Sequence, residues 1–236
     1  MVRDGNGPGS GLGIQLGYTA TQVMSERASI PRATVKRLSL YLRELELHQS
    51  RGETTVSSRT LGGDLGITDA QVRRDFGYFG QFGQPGIGYS VGSLILRLKS
   101  ILKIDREWNA AVFGVGNIGR ALLNYPRFDS KGFHIVAAFD VDDSIIGTSI
   151  GSCEIYSAAD FEHHVSAMGI EFGILCVPML AAQEVADQMV AAGLRGILNF
   201  TPRRIDVGDD VDVVSVDFSL ALEQLAYQVA MSNEDG

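Results

Sequence analysis

The chain has 236 residues, 45% of them apolar, and a formal net charge of −8. That length and apolar content are enough for a buried core in one large or two small domains, and two fit better. No apolar run approaches the roughly 18 residues of a membrane span, and no basic segment followed by a hydrophobic stretch opens the chain, so a cytoplasmic protein with no membrane partner is expected.

The charge is unevenly placed. Ser29 to Gly92 carries eight Lys or Arg against six acids, whereas Ser93 to Gly236 carries ten against twenty, so the two halves differ in sign and the asymmetry suggests two jobs. The first 28 residues are neutral, hold six glycines between Gly5 and Gly17 and lack apolar periodicity, so residues 1–28 read as a disordered tail. The two cysteines, Cys153 and Cys176, have no metal or redox spacing and read as structural thiols, and no metal is expected.

The ordered chain starts at Ile30-Pro31, where proline suits a first helical turn. Val35, Leu38, Leu42 and Leu45 recur at helical spacing and predict one buried face. Arg32, Lys36 and Arg43 fall within about 40° of one another on a wheel, a basic stripe that on its own is best read as solvated.

Ser57-Ser58 precede a short predicted helix, SRTLGGDLG, and Thr68 is placed to cap a second, DAQVRRDFGYFGQF. Two short helices joined by Leu65-Gly66-Ile67-Thr68 have the form of a helix-turn-helix, whose second helix enters a major groove. Gln71, Arg73 and Arg74 lie near its N-terminal end, where Gln and Arg read base edges or bind phosphates. The glycine and proline density of Gly83 to Val91 predicts a tight β-hairpin, which would complete a winged helix.

The run Ala110 to Val115 leads directly into Gly114, Gly116 and Gly119, and a helix follows: strand, glycine turn, helix start. In a dinucleotide-binding turn the first glycine permits the bend, the second admits a pyrophosphate and the third lets helix and strand approach. A second predicted strand, His134 to Phe139, ends in Asp140, positioned 21 residues after Gly119. An acid there accepts from the ribose hydroxyls and repels a 2′-phosphate, so NADH or NAD+ is favoured over the phosphorylated cofactor. Gly147 to Tyr156 looks like a small hairpin without evident chemistry. Glu171 to Val177, Leu194 to Asn199 and Val211 to Val216 predict further parallel strands, with Leu180 to Ala192 helical between the first two. Ligands in such sheets lie at the strands' carboxyl ends, which brings Val177, Pro178 and Asn199 towards a cleft, although on their own these residues are better read as plain loop chemistry. Phe218, Leu222, Leu225 and Val229 share one face of a terminal helix, a stripe that needs a partner.

Taken together, IPRATVKRLSLYLREL, DAQVRRDFGYFGQFG, GIGYSVGSL, VFGVGNIGRALLNYPRF, ILNFTP and VSVDFSLALEQLAYQVA resemble the Rex redox-sensing transcriptional repressors over about residues 30–230. The resemblance implies an α/β protein: a winged-helix DNA-binding domain over 29–92, a Rossmann-like NAD(H)-binding and dimerisation domain over 93–231, and a flexible end at 232–236. It implies a homodimer that binds inverted-repeat, double-stranded operator DNA near respiratory and fermentative genes and lets go when NADH replaces NAD+. Ser58, Gln71, Arg73, Arg74, Gly88 and Tyr89 would face DNA. Gly114, Gly116, Asn117, Ile118, Gly119, Asp140, Val177, Pro178 and Asn199 would hold the cofactor. The last helix would be exchanged between subunits and bring Phe218 to the partner's nicotinamide pocket, the alternative being ordinary packing on its own sheet. Arg43, Tyr125 and Asp217 would form a switch, with Asp217 pairing Arg43 in one state and Tyr125 in the other. One departure stands out: the family's wing tip commonly carries basic residues, and here it is Gln84-Pro85.

The competing class is an NAD-dependent oxidoreductase with an accessory helical domain. Such an enzyme needs a proton donor or acceptor beside the nicotinamide. His163-His164 reads as solvent-facing, His134 as distant from the cleft mouth, and His48 lies in the other domain, so no catalytic residue is assigned; Tyr125 is the remaining candidate.

Overall fold

The structure, a computed structural model, describes residues 30–80, 82–83 and 87–234. The 1–28 tail and the Gln84-Pro85 tip lie outside the described residues. The chain divides into two compact units between Leu102 and Lys103. That is ten residues beyond the expected 92/93 boundary, because helix Val91–Ile101 buries Val91, Leu94, Ile95 and Leu98 against the first unit's opening helix.

In the first unit, α1 (Arg32–Ser50) is followed by β1 (Thr55–Val56), α2 (Ser58–Leu65), α3 (Asp69–Gly77), β2 (Tyr89–Ser90) and α4 (Val91–Ile101). The buried stripe of α1 is Thr34, Leu38, Tyr41, Leu42, Leu45 and His48. Val35, expected inside, is 40% exposed, since it lies at the margin of the stripe that Tyr41 centres. The helix-turn-helix forms as predicted. Ser57 and Thr68 cap α2 and α3 by accepting from the Thr60 and Gln71 amides, and Gly66 makes the left-handed turn at φ +66°. The second helix is shorter than expected, ending at Gly77.

The hairpin expected within Gly83 to Val91 spans residues 84–86, which lie outside the described residues, and the strand described there pairs elsewhere in the unit. Strand β2 pairs antiparallel with β1, which precedes the helix-turn-helix, in the register Thr55 to Ser90 and Val56 to Tyr89. Gly88 explains it: at φ +91° it lies so close to β1 that a Cβ there would stand 2.6 Å from the Val56 carbonyl oxygen.

The second unit contains β3 (Trp108–Phe113), α5 (Asn117–Leu123), β4 (Phe133–Asp140), β5 (Ser149–Ile150), β6 (Cys153–Ser157), α6 (Phe161–Ala167), β7 (Phe172–Leu175), α7 (Ala182–Ala191), β8 (Gly196–Asn199), β9 (Asp212–Ser215) and α8 (Phe218–Glu234). Its sheet runs β5-β6-β4-β3-β7-β8-β9, parallel throughout except for β5. The six parallel strands follow the doubly wound order, which reverses beside β3. The Gly147 to Tyr156 hairpin exists, but its second arm, β6, is also a parallel partner of β4 and so belongs to the main sheet. One face is closed by α6 and α7 over Phe113, Phe139, Leu175 and Ile197, and the other carries α5 over Val112, Ala138 and Ile174. Beyond α5 that second face is open: Ile135, Phe172, Ile174, Leu198 and Val214 line an apolar trench of about 610 Å³ rimmed by Tyr125, Arg127 and Lys131. Helix α8 continues through Glu234, with the Ser232 hydroxyl donating to the Gln228 carbonyl at 2.9 Å; residues 235–236 of the end expected to be flexible lie outside the described residues. No helix of the described residues is long and apolar enough to cross a membrane.

Candidate functional site

The glycine turn sits where the strand order reverses. Gly114 adopts φ +92°, and a Cβ on it would come within 2.7 Å of the Cys176 carbonyl oxygen, so only glycine lets β3 and β7 meet at their carboxyl ends. A Cβ at Gly119 would collide with the Gly114 carbonyl oxygen, which accounts for the close seat of α5 on the strand. Gly116 differs: a Cβ there meets nothing within 4 Å, because the backbone faces an open cleft.

That cleft encloses about 790 Å³ and is lined by Gly114, Gly116, Asn117 and Ile118 from the turn, Asp140 and Asp142 from the tip of β4, and Val177 and Pro178 beyond β7. The Asp140 carboxylate accepts from the Val115 amide at 2.6 Å and from the Val141 and Asp142 amides at 2.7 and 3.1 Å. It is therefore held at the rim with lone pairs to spare. The features a dinucleotide needs are all present: an open glycine for the pyrophosphate, an oriented acid for the ribose and an apolar slot formed by Phe139, Ala158 and Phe161. Among the described residues the cleft lining contains no His, Lys or Tyr. Its thiol, Cys176, is pushed up to about 12 by burial, as the buried Cys153 is to about 11.

Asn199 does not line this cleft, and neither does Phe218, which was expected at a partner's pocket. Asn199 is fully buried and braces its own loop, its amide donating to the Arg203 carbonyl at 2.8 Å and its oxygen accepting from the Thr201 amide and hydroxyl. Phe218 opens α8 with its ring centroid 6.3 Å from that of Phe200 and remains 60% exposed. The rest of its stripe, Leu222, Leu225 and Val229, is 65%, 53% and 53% exposed, so this helix does not bury its apolar face on its own sheet. Asp217 caps α8, accepting from the Ser219 amide at 2.8 Å, while the half-exposed Tyr125 packs edge-on against Phe128. Arg43 is exposed on α1. His163 is exposed as expected; His164 is half-buried instead, its ring 4.1 Å from that of Tyr156, which covers it. His134 lies in β4, at the end remote from the cleft, as expected.

The first unit presents its own candidate surface. Arg73 and Arg74 are exposed on α3, Ser58 and Tyr89 are half-buried beside them in the fold, and Gly88 fixes the strand pairing. Gln71 serves the interior as well: its side chain donates to Asp75 at 2.9 Å. Asp75, wholly buried, also receives two bonds from Arg37 at 2.6 and 2.7 Å and one from the Tyr41 hydroxyl at 2.8 Å. Burial opposes its charge, but the Arg37, Tyr41 and Gln71 donors more than offset this and hold the carboxyl below its ordinary range. This hub orients α3 on α1. A second one was equally unforeseen: buried His48 places Nδ1 at 2.8 Å from Glu53 and Nε2 at 2.9 Å from Asp64. Among the described residues Glu44, His48 and Asp64, without Glu53, form the one group of three His, Cys or carboxylate side chains whose ligand atoms all lie within 4.8 Å of one another.

A family model described as a CoA binding domain matches residues 105–203, and one described as a putative DNA-binding protein N-terminus matches residues 29–77. The redox-sensing transcriptional repressor Rex of Desulforamulus reducens is 42% identical over 87% of this chain and 98% of its own length. That of Carboxydothermus hydrogenoformans is 44% identical over 85% and 96%. Among solved structures, the repressor RSP in complex with β-NAD+ and operator DNA superposes with a TM-score of 0.83 at 35% identity, over 86% of this chain and 94% of that one. RSP in complex with β-NADH gives 0.80 at 33% identity, over 88% and 97%.

Proposed function

The chain belongs to the Rex family of redox-sensing transcriptional repressors, and from that membership we propose that it is a cytoplasmic homodimer that represses genes by binding inverted-repeat operator DNA and lets go when NADH replaces NAD+. The observation that carries this reading is the glycine turn locked to Asp140, within a fold whose 35%-identical relative was solved with both β-NAD+ and operator DNA. The acid also selects among nucleotides. Coenzyme A carries a phosphate on its adenosine ribose and NADP a 2′-phosphate, and a carboxylate at the ribose disfavours both. The dinucleotide supplies the redox difference when bound. The protein's part is binding: Gly116 admits the pyrophosphate while Gly114 and Gly119 shape the turn that presents it, Asn117 and Ile118 open α5 beside it, Asp140 holds the ribose, and Val177 and Pro178 border the nicotinamide end.

In the DNA-binding unit, Ser58, Gln71, Arg73, Arg74, Gly88 and Tyr89 form the operator-facing surface. Dimerisation explains α8. Its open apolar stripe matches the bare trench on the sheet, and exchange with a second copy would cover both, carrying Phe218 towards the partner's nicotinamide pocket. The switch would use Asp217, alternating between Arg43 and Tyr125, so that cofactor charge at the nicotinamide biases the DNA-binding units. A gel shift on an inverted-repeat probe, titrated separately with NADH and NAD+, tests the proposal: release by NADH alone is expected, and indifference to both would refute it. Tyr125→Phe should keep operator binding but respond poorly to NADH, and release at the wild-type NADH concentration would remove Tyr125 from the switch.

A further inference from the structure

The side chain of Arg73 is already engaged. Its Nη1 donates to the Asp69 carboxylate at 2.7 Å and to the Ser58 hydroxyl at 3.2 Å, tying the first turn of α3 to the first residue of α2. Both members of the ion pair stay accessible, Arg73 at 55% and Asp69 at 39%. Arg74, the next residue, is exposed with no hydrogen bond or ion pair among the described residues. The two arginines therefore differ in a way their sequence does not reveal.

We propose that Asp69 is a specificity-determining residue, which lowers affinity for non-operator DNA by opposing phosphate contact from Arg73 while presenting that arginine to a base edge. The inference rests on the reading that α3 faces DNA. A phosphate drawn to Arg73 would lie next to a full negative charge of the same sign, and like charges side by side are penalised. A guanine edge offers only the partial charges of O6 and N7, so the penalty there is smaller. Arg73 keeps free donors on Nη2 and Nε for such a bidentate contact, and its tether to Asp69 and Ser58 has already removed much of the rotamer freedom that binding would cost. Specificity is a difference between two affinities, and a residue that weakens the wrong complex more than the right one raises it. The Asp69 carboxyl is held below its ordinary value chiefly by the Arg73 hydrogen bond, so it is charged at neutral pH. Arg74 is left as the arginine suited to phosphate.

The test measures Asp69→Asn, Asp69→Glu and Arg74→Ala in the full-length protein with NAD+, on an inverted-repeat operator and on a scrambled duplex of equal length, across a salt series. Asp69→Asn should bind the scrambled duplex about five-fold more tightly near 0.15 M salt, with its log–log salt slope steeper by about 0.9, the value of one added phosphate contact. Operator affinity should change by less, so the ratio of the two falls. Asp69→Glu, which keeps the charge within reach of Arg73, should retain the wild-type ratio. An equal gain on both probes would reduce Asp69 to general repulsion and overturn the proposal, as would no change on either. Arg74→Ala checks the underlying helix placement separately: it should weaken both probes alike, and wild-type binding to both would remove α3 from the DNA and the proposal with it.

Discussion

The Val115 amide donates to the Asp140 carboxylate across 2.6 Å, joining the glycine turn to the acid at the tip of the neighbouring strand. The residue proposed to select the ribose thus also braces the loop proposed to admit the pyrophosphate, so the two cannot be mutated as independent features. Asp140→Ala should therefore weaken NADH binding by more than the lost ribose bonds, and Asp140→Asn, which keeps an oxygen for the Val115 amide, should weaken it less. Fluorescence titration of both variants gives the order; equal losses would show that the brace has no part in binding.

The glycines of the turn should separate by readout. Gly116→Ala places its methyl in the open cleft and should leave thermal stability unchanged while reducing NADH affinity, whereas Gly119→Ala meets the Gly114 carbonyl and should cost about 1–3 kcal/mol of stability or more. Thermal unfolding beside a cofactor titration checks both. A stable Gly119→Ala protein would contradict the described seat of α5.

Much of this was legible in advance, for a physical reason. The strand, glycine turn, helix and distal acid are local patterns with fixed spacing, and so are the Ser57 and Thr68 caps. The misses involve polar contacts between elements far apart in sequence, which leave no periodicity: Arg37 to Asp75, His48 to Asp64, and the β1 to β2 pairing. One signal was available. Asp75 lies between Val72 and Phe76 on the apolar face of α3, and an acid on a buried stripe must find partners. Asn199 gave no such warning, because a buried Asn bracing a loop and a cleft Asn at a strand tip read the same.

Asp75 yields a second stability prediction. Replacing it by Ala strands the Arg37 guanidinium and the buried Tyr41 hydroxyl, and breaking such a pair costs about 3–5 kcal/mol. Urea unfolding of the variant should show a loss in this range together with lost operator binding. A loss under about 1 kcal/mol would mean that the hub is dispensable.

His48 makes the first unit pH-sensitive. Burial disfavours its charge, but the bonds to Glu53 and Asp64 prevail and raise its pKa above the ordinary 6.5. A raised folded-state pKa gives stability that is fully present below 6.5 and is lost as pH rises through the folded value. Thermal stability should therefore fall as pH rises from about 6.5 through the raised folded-state pKa, and His48→Gln should flatten that fall. An unaltered pH profile in the variant would contradict the clamp.

The apolar stripe of α8 predicts the assembly. Leu222→Asp with Leu225→Asp places charge in the surface that a second copy is proposed to cover, and should convert a dimer to monomers by light scattering. A dimer that persists would shift the interface away from this helix.

The central claim is a coupling between cleft and operator, and coupling of binding free energies is reciprocal. The most direct measurement is the NADH affinity of the full-length protein, by fluorescence, without DNA and with saturating operator duplex. Operator DNA should weaken NADH binding by the same factor by which NADH weakens operator binding, with NAD+ affected far less. NADH affinity unchanged by operator DNA would contradict it.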